Sequence, residues 1–275
     1  MRVRVSPPAP RTESQLVTLK PPLKWAGGKR WLLPHITSIW QLHENRRYVE
    51  PFCGGLSVAL GLHPTRALLN DRNPHLINFY RQIQRGLRMS IDLRYDAALF
   101  YAHRTWFNEM VLNGGTKSPE AAQLFYYLNR TCYNGLCRFN RSGGFNVPFG
   151  KYKTVNYATD FIGYRKMLRA WEFTTMDLET MEIKRDDFVY ADPPYDVEFT
   201  SYSAGGFSWD DQVRTAEWLA RHRGPVVLSN QATPRIVRLY RQLGFRLKFL
   251  DAPRRISSDG NRVPAREVLA TKNLS

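Results

Sequence analysis

Short apolar runs alternate with helix-compatible stretches along the first third of the chain. YVEPF (48–52) leads into 55–63, and RALLN (66–70) leads into 74–86. Two successive strand-and-helix units of this kind predict a parallel sheet covered by helices. The alternation then stops for about a hundred residues. Segments 91–112 and 119–131 read as helices, and 133–153 is a loop or hairpin region punctuated by Gly, Asn and Pro. Strand-like runs resume with DFVYA (187–191), PVVLSN (225–230), FRLKFLD (245–251) and EVLAT (267–271), spaced by helical 209–222 and 234–243. The pattern is that of an α/β sheet interrupted by an inserted module, with the sheet built from 20–86 and 172–275 and the insert from 87–171. Residues 1–19, rich in Pro, Arg and Ser without periodicity, are expected to form a flexible arm. No internal repeat or heptad pattern is visible.

Composition adds a partner. Lys and Arg number 40 against 24 acidic residues in 275, a net charge of +16. A field of that sign attracts a polyanion, with nucleic acid the first candidate, although an acid-poor soluble enzyme has the same composition. Cys53, Cys132 and Cys137 form no even disulfide framework and lack a second ligand pair for zinc. No apolar run approaches the roughly 18 residues of a membrane span, and the first residues lack the apolar core of a secretion signal. The expectation is a cytoplasmic protein with reduced thiols, no membrane and no metal, monomeric in solution.

Candidate chemistry begins where YVEPF runs into the glycines at 54 and 55. Glycine removes the side chain that would keep a cofactor from the backbone, though such a pair is also an ordinary turn. The next strand ends on Asp71, placed as a carboxylate that accepts hydrogen bonds from ribose hydroxyls. The G-x-G-x-x-G series is absent, with Leu56 following the glycines, so a nucleoside without phosphates suits the turn better than a dinucleotide. KWAGGKR (24–30) lacks the spacing and hydroxyl of a phosphate loop.

DFVYA is followed by Asp192, Pro193, Pro194 and Tyr195. An exocyclic amine on adenine is a poor nucleophile because its lone pair is delocalised into the ring. A catalyst must accept both amine hydrogens and favour a pyramidal nitrogen. The Asp192 carboxylate and the Pro193 carbonyl can do so, since two prolines fix φ and stiffen the turn, and Tyr195 offers a ring for stacking. The alternative is a strand ending in a plain Asp-Pro turn.

With these motifs the chain resembles the Dam-type DNA adenine-N6 methyltransferases, the D12 class whose order is cofactor, target recognition, catalysis. The resemblance covers about 21–273 and rests on PPLKWAGGKR (21–30), YVEPFCGG (48–55), LLNDRNPHLINFY (68–80), YLNRTCYNGLCRFNRSGGFNVPFGKY (127–152) and FVYADPPY (188–195). It implies a Rossmann-like methyltransferase sheet with helices on both faces and an inserted, mainly helical target-recognition domain with a hairpin loop. The sheet would bind S-adenosyl-L-methionine and carry out the reaction. Trp25 and Lys29 would contact that cofactor, with Glu50, Phe52 and Gly54 along its methionine and sulfonium side. Asp71 would take the ribose, and Asp177 the amino group of the cofactor's adenine. Asp192 to Tyr195 would be catalytic, with Asp192 also touching the cofactor. Leu56 stands where many relatives have another glycine, and Leu178 where an aromatic often covers the cofactor's adenine.

Between Glu120 and Asp160 no acidic residue occurs, while Arg130, Arg138, Arg141, Lys151 and Lys153 interleave with Tyr133, Phe139, Phe145, Phe149 and Tyr152. Such a stretch suits a duplex with an opened stack, because an adenine amine must leave the helix to react. Some of Phe125, Tyr126 and Phe149 are expected to pack the insert's core instead. The resemblance implies that Tyr133 and Asn134 prop the gap, that Lys24 meets the first guanine, that Leu136, Arg138 and Pro148 read the outer pairs, and that Tyr152 lies at the DNA. The runs YNGLCR and FNVPFG point to adenine in GATC, in a bacterial cytosol or a phage-infected cell, with a restriction pair, a phage or housekeeping methylation all open as its setting. Competing readings are methylation of RNA or a protein amide, whose enzymes typically carry Asn before the prolines, and a non-catalytic DNA-binding protein. The basic segment RRISSDGNR (254–262) is a further candidate for phosphate contact, or a solvated hairpin.

Overall fold

The computed structural model describes residues 19–196, 206–252 and 265–274. The expected arm up to residue 18 and the basic segment 254–262 lie outside the described residues. Seven strands form one sheet: β1 (Tyr48–Glu50), β2 (Ala67–Asn70), β3 (Trp171–Thr174), β4 (Phe188–Ala191), β5 (Val226–Gln231), β6 (Arg246–Ala252) and β7 (Ala265–Lys272). Their order is β3-β2-β1-β4-β5-β7-β6, with β7 antiparallel to both neighbours and the other pairings parallel. The order reverses at β1, which lies between β2 and β4, and this opens a crevice at the carboxyl ends of β1 and β4.

Side chains alternate across the strands and seed two cores. On one face Tyr48, Leu69, Phe188 and Tyr190 pack with α1 (Leu33–Trp40), α2 (Ala59–Leu62) and α3 (Pro74–Arg85). The insert supplies α4 (Ala97–Leu112), α5 (Pro119–Thr131) and α6 (Ile162–Leu168). On the other face Val49, Leu68, Val189 and Leu228 meet α7 (Trp209–Arg221) and α8 (Pro234–Gln242). Strands buried on both faces read as unbroken apolar runs, which is why β1, β2, β4 and β5 were legible. Helix starts follow their caps: Asn73 accepts from the His75 and Leu76 N–H groups, Asp96 from Leu99, Ser118 from Ala121, and Ser208 forms a capping box with Asp211.

The α/β expectation holds, with local differences. The helix expected over 55–63 shrinks to α2, because Gly54 and Leu56 at φ +42° and +60° keep the chain in a left-handed turn beforehand. The helix expected from 91 begins at Ala97, after a turn in which Asp92 binds the Arg94 N–H and Asp96 caps. The first helix, α6 and β3 were not expected. In β3 only Trp171 and Phe173 face inward and Glu172 faces solvent, so the apolar signal is two residues long.

The insert has no core of its own. Phe79 on α3 stacks on Tyr126 of α5 at 5.4 Å, Phe161 meets both edge-on, and one apolar cluster runs from the sheet through α3 into α5. Phe125 and Tyr126 are thus core residues, and Phe149 is half-buried against Tyr95. Among the described residues no helix is long and apolar enough to cross a membrane.

Candidate active site

Asp192 follows the last residue of β4, at the mouth of the crevice. Both its oxygens are held: Ser229 Oγ of β5 donates to Oδ1 at 2.9 Å, and Lys29 Nζ lies 3.0 Å from Oδ2. Ser229 has one hydroxyl proton, so Tyr190, 3.0 Å away, donates to it in turn and a chain of three groups aligns the carboxylate. Burial raises the Asp192 pKa, and the charge and hydrogen bond of Lys29 offset part of the rise. Lys29 is 4% exposed and also donates to the Gly27 carbonyl at 3.0 Å. Of the two proline carbonyls, that of Pro194 already accepts from Gln212 Nε2 of α7 at 2.7 Å, and Pro193 is buried beside it. Tyr195 donates its hydroxyl to Glu267 Oε1 of β7, and Lys29 Nζ stands 4.5 Å from its ring centroid.

The neighbouring strand ends carry the other acids. Glu50 closes β1, is 3% exposed, accepts from Tyr48 Oη at 2.9 Å, and is pushed well above the usual carboxylate range by burial. Asp71, just past β2, accepts from the Gly54 and Asn73 N–H groups at 3.1 and 2.9 Å, while burial lifts it to about 6. The indole of Trp25 covers the glycine turn so closely that a Cβ on Gly54 would come within 2.6 Å of its Nε1, and one on Gly55 within 2.8 Å of its Cβ. Phe52 is half-buried and meets Phe207 edge-on at 5.8 Å. Asp177 pairs with Arg214 of α7 at 2.9 Å; burial works to raise its carboxyl, but the Glu179 N–H and Arg214 outweigh it and leave it below the usual range. Leu178 is buried beside it. The glycine turn thus lies under an indole and beside the carboxylates of Glu50 and Asp71.

The remaining candidates lie on the insert, apart from Lys24, which packs against it. The α5 C-terminus runs into Tyr133–Gly135, a short 3-10 turn in which Tyr133 is 52% exposed and Asn134 takes φ +53°. A hairpin follows, bridged at Phe139 and Phe145 and closed where Asn140 binds the Ser142 and Gly144 N–H groups. Asn108 of α4 holds both backbone groups of Phe145. Arg138 is exposed, and its Nε and Nη2 donate to Asn146 Oδ1 and O at 2.8 and 3.3 Å across the hairpin. Leu136 is half-buried, whereas Pro148 is exposed and accepts from the Tyr133 N–H. Lys24 Nζ donates to the Arg130 carbonyl at 2.9 Å and sits 3.3 Å over the Tyr152 ring, whose hydroxyl binds the Cys132 carbonyl. Burial, then the Arg130 charge, lowers Lys24 to about 8.

A family model described as D12 class N6 adenine-specific DNA methyltransferase matches residues 25–256. The chain belongs to that class. Its activity is that of an adenine-specific DNA methyltransferase. A DNA adenine methylase of Vibrio cholerae serotype O1 is 37% identical over 274 residues, covering 92% of this chain and 96% of its own. The DNA N-6-adenine-methyltransferase of Escherichia phage P1 is 36% identical, covering 90% of this chain and 34% of its own. A type II methyltransferase of Lactococcus lactis subsp. cremoris is 33% identical, covering 86% and 89%.

In this D12-class enzyme the candidates therefore form two groups. Lys29, Glu50, Gly54, Asp71 and Asp192 to Tyr195 converge at the sheet's switch point, and Lys24, Tyr133, Asn134, Leu136, Arg138, Pro148 and Tyr152 gather around the α5 end and the hairpin. Sequence reasoning missed Ser229, Gln212, Glu267, Asn146 and Arg214. No spacing rule links Ser229, Gln212, Glu267 and Arg214 to the motifs, since each reaches its partner from another element, and Asn146, though inside the motif run, meets Arg138 only through the hairpin register.

Proposed function

We propose that this enzyme transfers a methyl group from S-adenosyl-L-methionine to N6 of an adenine turned out of duplex DNA, within GATC. One observation carries the reading: a carboxylate fixed from both sides by Ser229 and Lys29 next to a proline pair, at the switch point of a sheet whose neighbouring glycine turn lies under the Trp25 indole.

The cofactor supplies a methyl on a positively charged sulfur, which makes the carbon electrophilic. Trp25, Lys29 and Asp71 would contact it, Asp71 at the ribose, with Asp177 and Leu178 beside the adenine and Glu50, Phe52 and Gly54 beside the methionine and sulfonium. The chain's part is orientation. Asp192 and the Pro193 carbonyl take one amine hydrogen each, which turns the nitrogen lone pair out of conjugation and towards the carbon. The Pro194 carbonyl already accepts from Gln212, which ties the turn to α7 and leaves the Pro193 carbonyl as the proposed second acceptor. As the N–C bond formed, the electron pair of the S–C bond would stay on sulfur and the nitrogen would shed one proton. Asp192, already holding one amine hydrogen in this reading, would be the group to accept it.

The base reaches this point only outside the stack, at a cost of about a few kcal/mol. Tyr133 and Asn134 at the exposed turn would fill the gap, and Tyr195 would stack on the extruded ring. Lys24, Leu136, Arg138 and Pro148 would read base edges beside Tyr152, so that 87–171 serves recognition and the sheet serves chemistry. The cytosol of a bacterium or an infected cell holds such DNA, and there we place the enzyme, acting as a monomer.

Long-read sequencing of DNA from an expressing host that lacks adenine methylation tests the whole reading. N6-methyladenine at GATC is the expected result. Methyl groups in another motif would reject the site, and unmodified DNA would reject the activity.

A further inference from the structure

Glu267 lies two strands from β4 in the sheet order and is 6% exposed. Its Oε1 accepts the Tyr195 hydroxyl, and its Oε2 is buried with no hydrogen-bond partner among the described residues. A carboxylate taken out of water with one oxygen unsatisfied is costly. It is retained on a strand paired at Gln231 on one side and Leu250 on the other, which allows it little movement.

We infer that Glu267 is a positioning residue for the reaction: by holding the Tyr195 hydroxyl it sets the plane of the ring on which the extruded base lies. The inference rests on the stacking role proposed above for Tyr195. Three features support it. The backbone of the tetrapeptide is fixed by two prolines and by Gln212 on the Pro194 carbonyl, but χ1 can still swing the ring and its hydroxyl, and since the phenolic O–H prefers the ring plane, the direction of its bond also orients χ2. Lys29 Nζ, 4.5 Å from the ring centroid, occupies one face, so a base must use the other. The far end of the ring is then the place to stop it tilting, and the Glu267 bond is made there. Burial pushes the Tyr195 hydroxyl far above its ordinary pKa, so it keeps its proton and acts as donor. A bond from a phenol to a carboxylate is charge-assisted and directional.

The test uses Tyr195→Phe, Glu267→Ala, their double variant and Glu267→Gln. DNA carries 2-aminopurine at the target adenine, and fluorescence lifetimes report stacking of the extruded base. Tyr195→Phe keeps the ring and loses only the hydroxyl. It should lower kcat/KM for DNA by about tenfold to a hundredfold, as loss of one hydrogen bond to a charged group does, and shift the probe towards its unquenched lifetime. Glu267→Ala should reproduce both effects, and the double variant should be within about twofold of either single one, since contacts in one network do not add. Glu267→Gln, which retains an acceptor oxygen, should restore most of the loss, and cofactor affinity should stay as in the wild type throughout. Tyr195→Phe behaving as wild type, or additive losses in the double variant, would overturn the inference while the stacking reading stands. A wild-type enzyme that leaves the probe unchanged would remove the stacking reading and this inference with it.

Discussion

Lys29 Nζ stands 3.0 Å from Asp192 Oδ2, with the lysine almost wholly buried. The pair opposes desolvation: burial lifts the carboxyl and the ammonium draws it back. Removing the cation by Lys29→Met leaves only the Ser229 hydrogen bond to oppose burial, so the carboxyl must rise further. Activity should then be lost at a higher pH on acidification. A pH profile of kcat at saturating cofactor checks this, and an acidic limb that stays in place would show that Asp192 does not carry it.

Arg138 presents its guanidinium with Nε and one edge of Nη2 already bound to Asn146. The remaining donors face solvent as a fork, the geometry that reads guanine O6 and N7. For Arg138→Ala we predict a loss of about 1–3 kcal/mol of discrimination at one base pair. Methylation rates on duplexes substituted at each position of the site measure it. Unchanged ranking of those duplexes would reject Arg138 as a reader.

Lys24 has a pKa of about 8 in the fold against 10.5 for an ordinary lysine. A lowered value means that the charge disappears as pH rises through 8, so attraction to DNA should weaken between about pH 7 and 9. Lys24→Arg stays charged over that window and should flatten the curve, read as DNA affinity by anisotropy at constant salt. Parallel curves for the two proteins would count against Lys24 as a DNA contact.

Gly135 combines φ +64° with a close neighbour, since a Cβ there would lie 2.3 Å from the Cβ of Lys24. Alanine must force apart the 3-10 turn and the segment that carries Lys24. Overpacking of this kind costs about 1–3 kcal/mol. Gly135→Ala should lower the melting temperature and weaken DNA binding together. Loss of neither would mean that Lys24 yields without consequence.

Much of the architecture could be read from the chain, and the exceptions have causes. The strands β1, β2, β4 and β5 are apolar on both faces and announce themselves, and α3 and α5 start at Asn-Pro and Ser-Pro caps. By contrast β3 is a sheet edge with Glu172 turned outward, too short for any period to register. At the site, Asp192 and Tyr195 were legible because one rigid turn carries both. Their partners Ser229, Gln212 and Glu267 come from β5, α7 and β7, brought close by sheet order rather than by sequence spacing. The hairpin's charge and aromatics make it a candidate interface from sequence alone, whereas the Asn146 brace on Arg138 depends on a register that only folding reveals.

Asn129 grips the Lys24 backbone with two hydrogen bonds of 2.8 Å, and the next residue, Trp25, roofs the glycine turn. Adjacent Cα atoms are separated by about 3.8 Å. A single peptide unit thus joins the residue proposed to meet the duplex to the residue proposed to enclose the methyl donor. On those roles, displacing either one should pull on the other, and loading of one substrate should be mechanically tied to loading of the second.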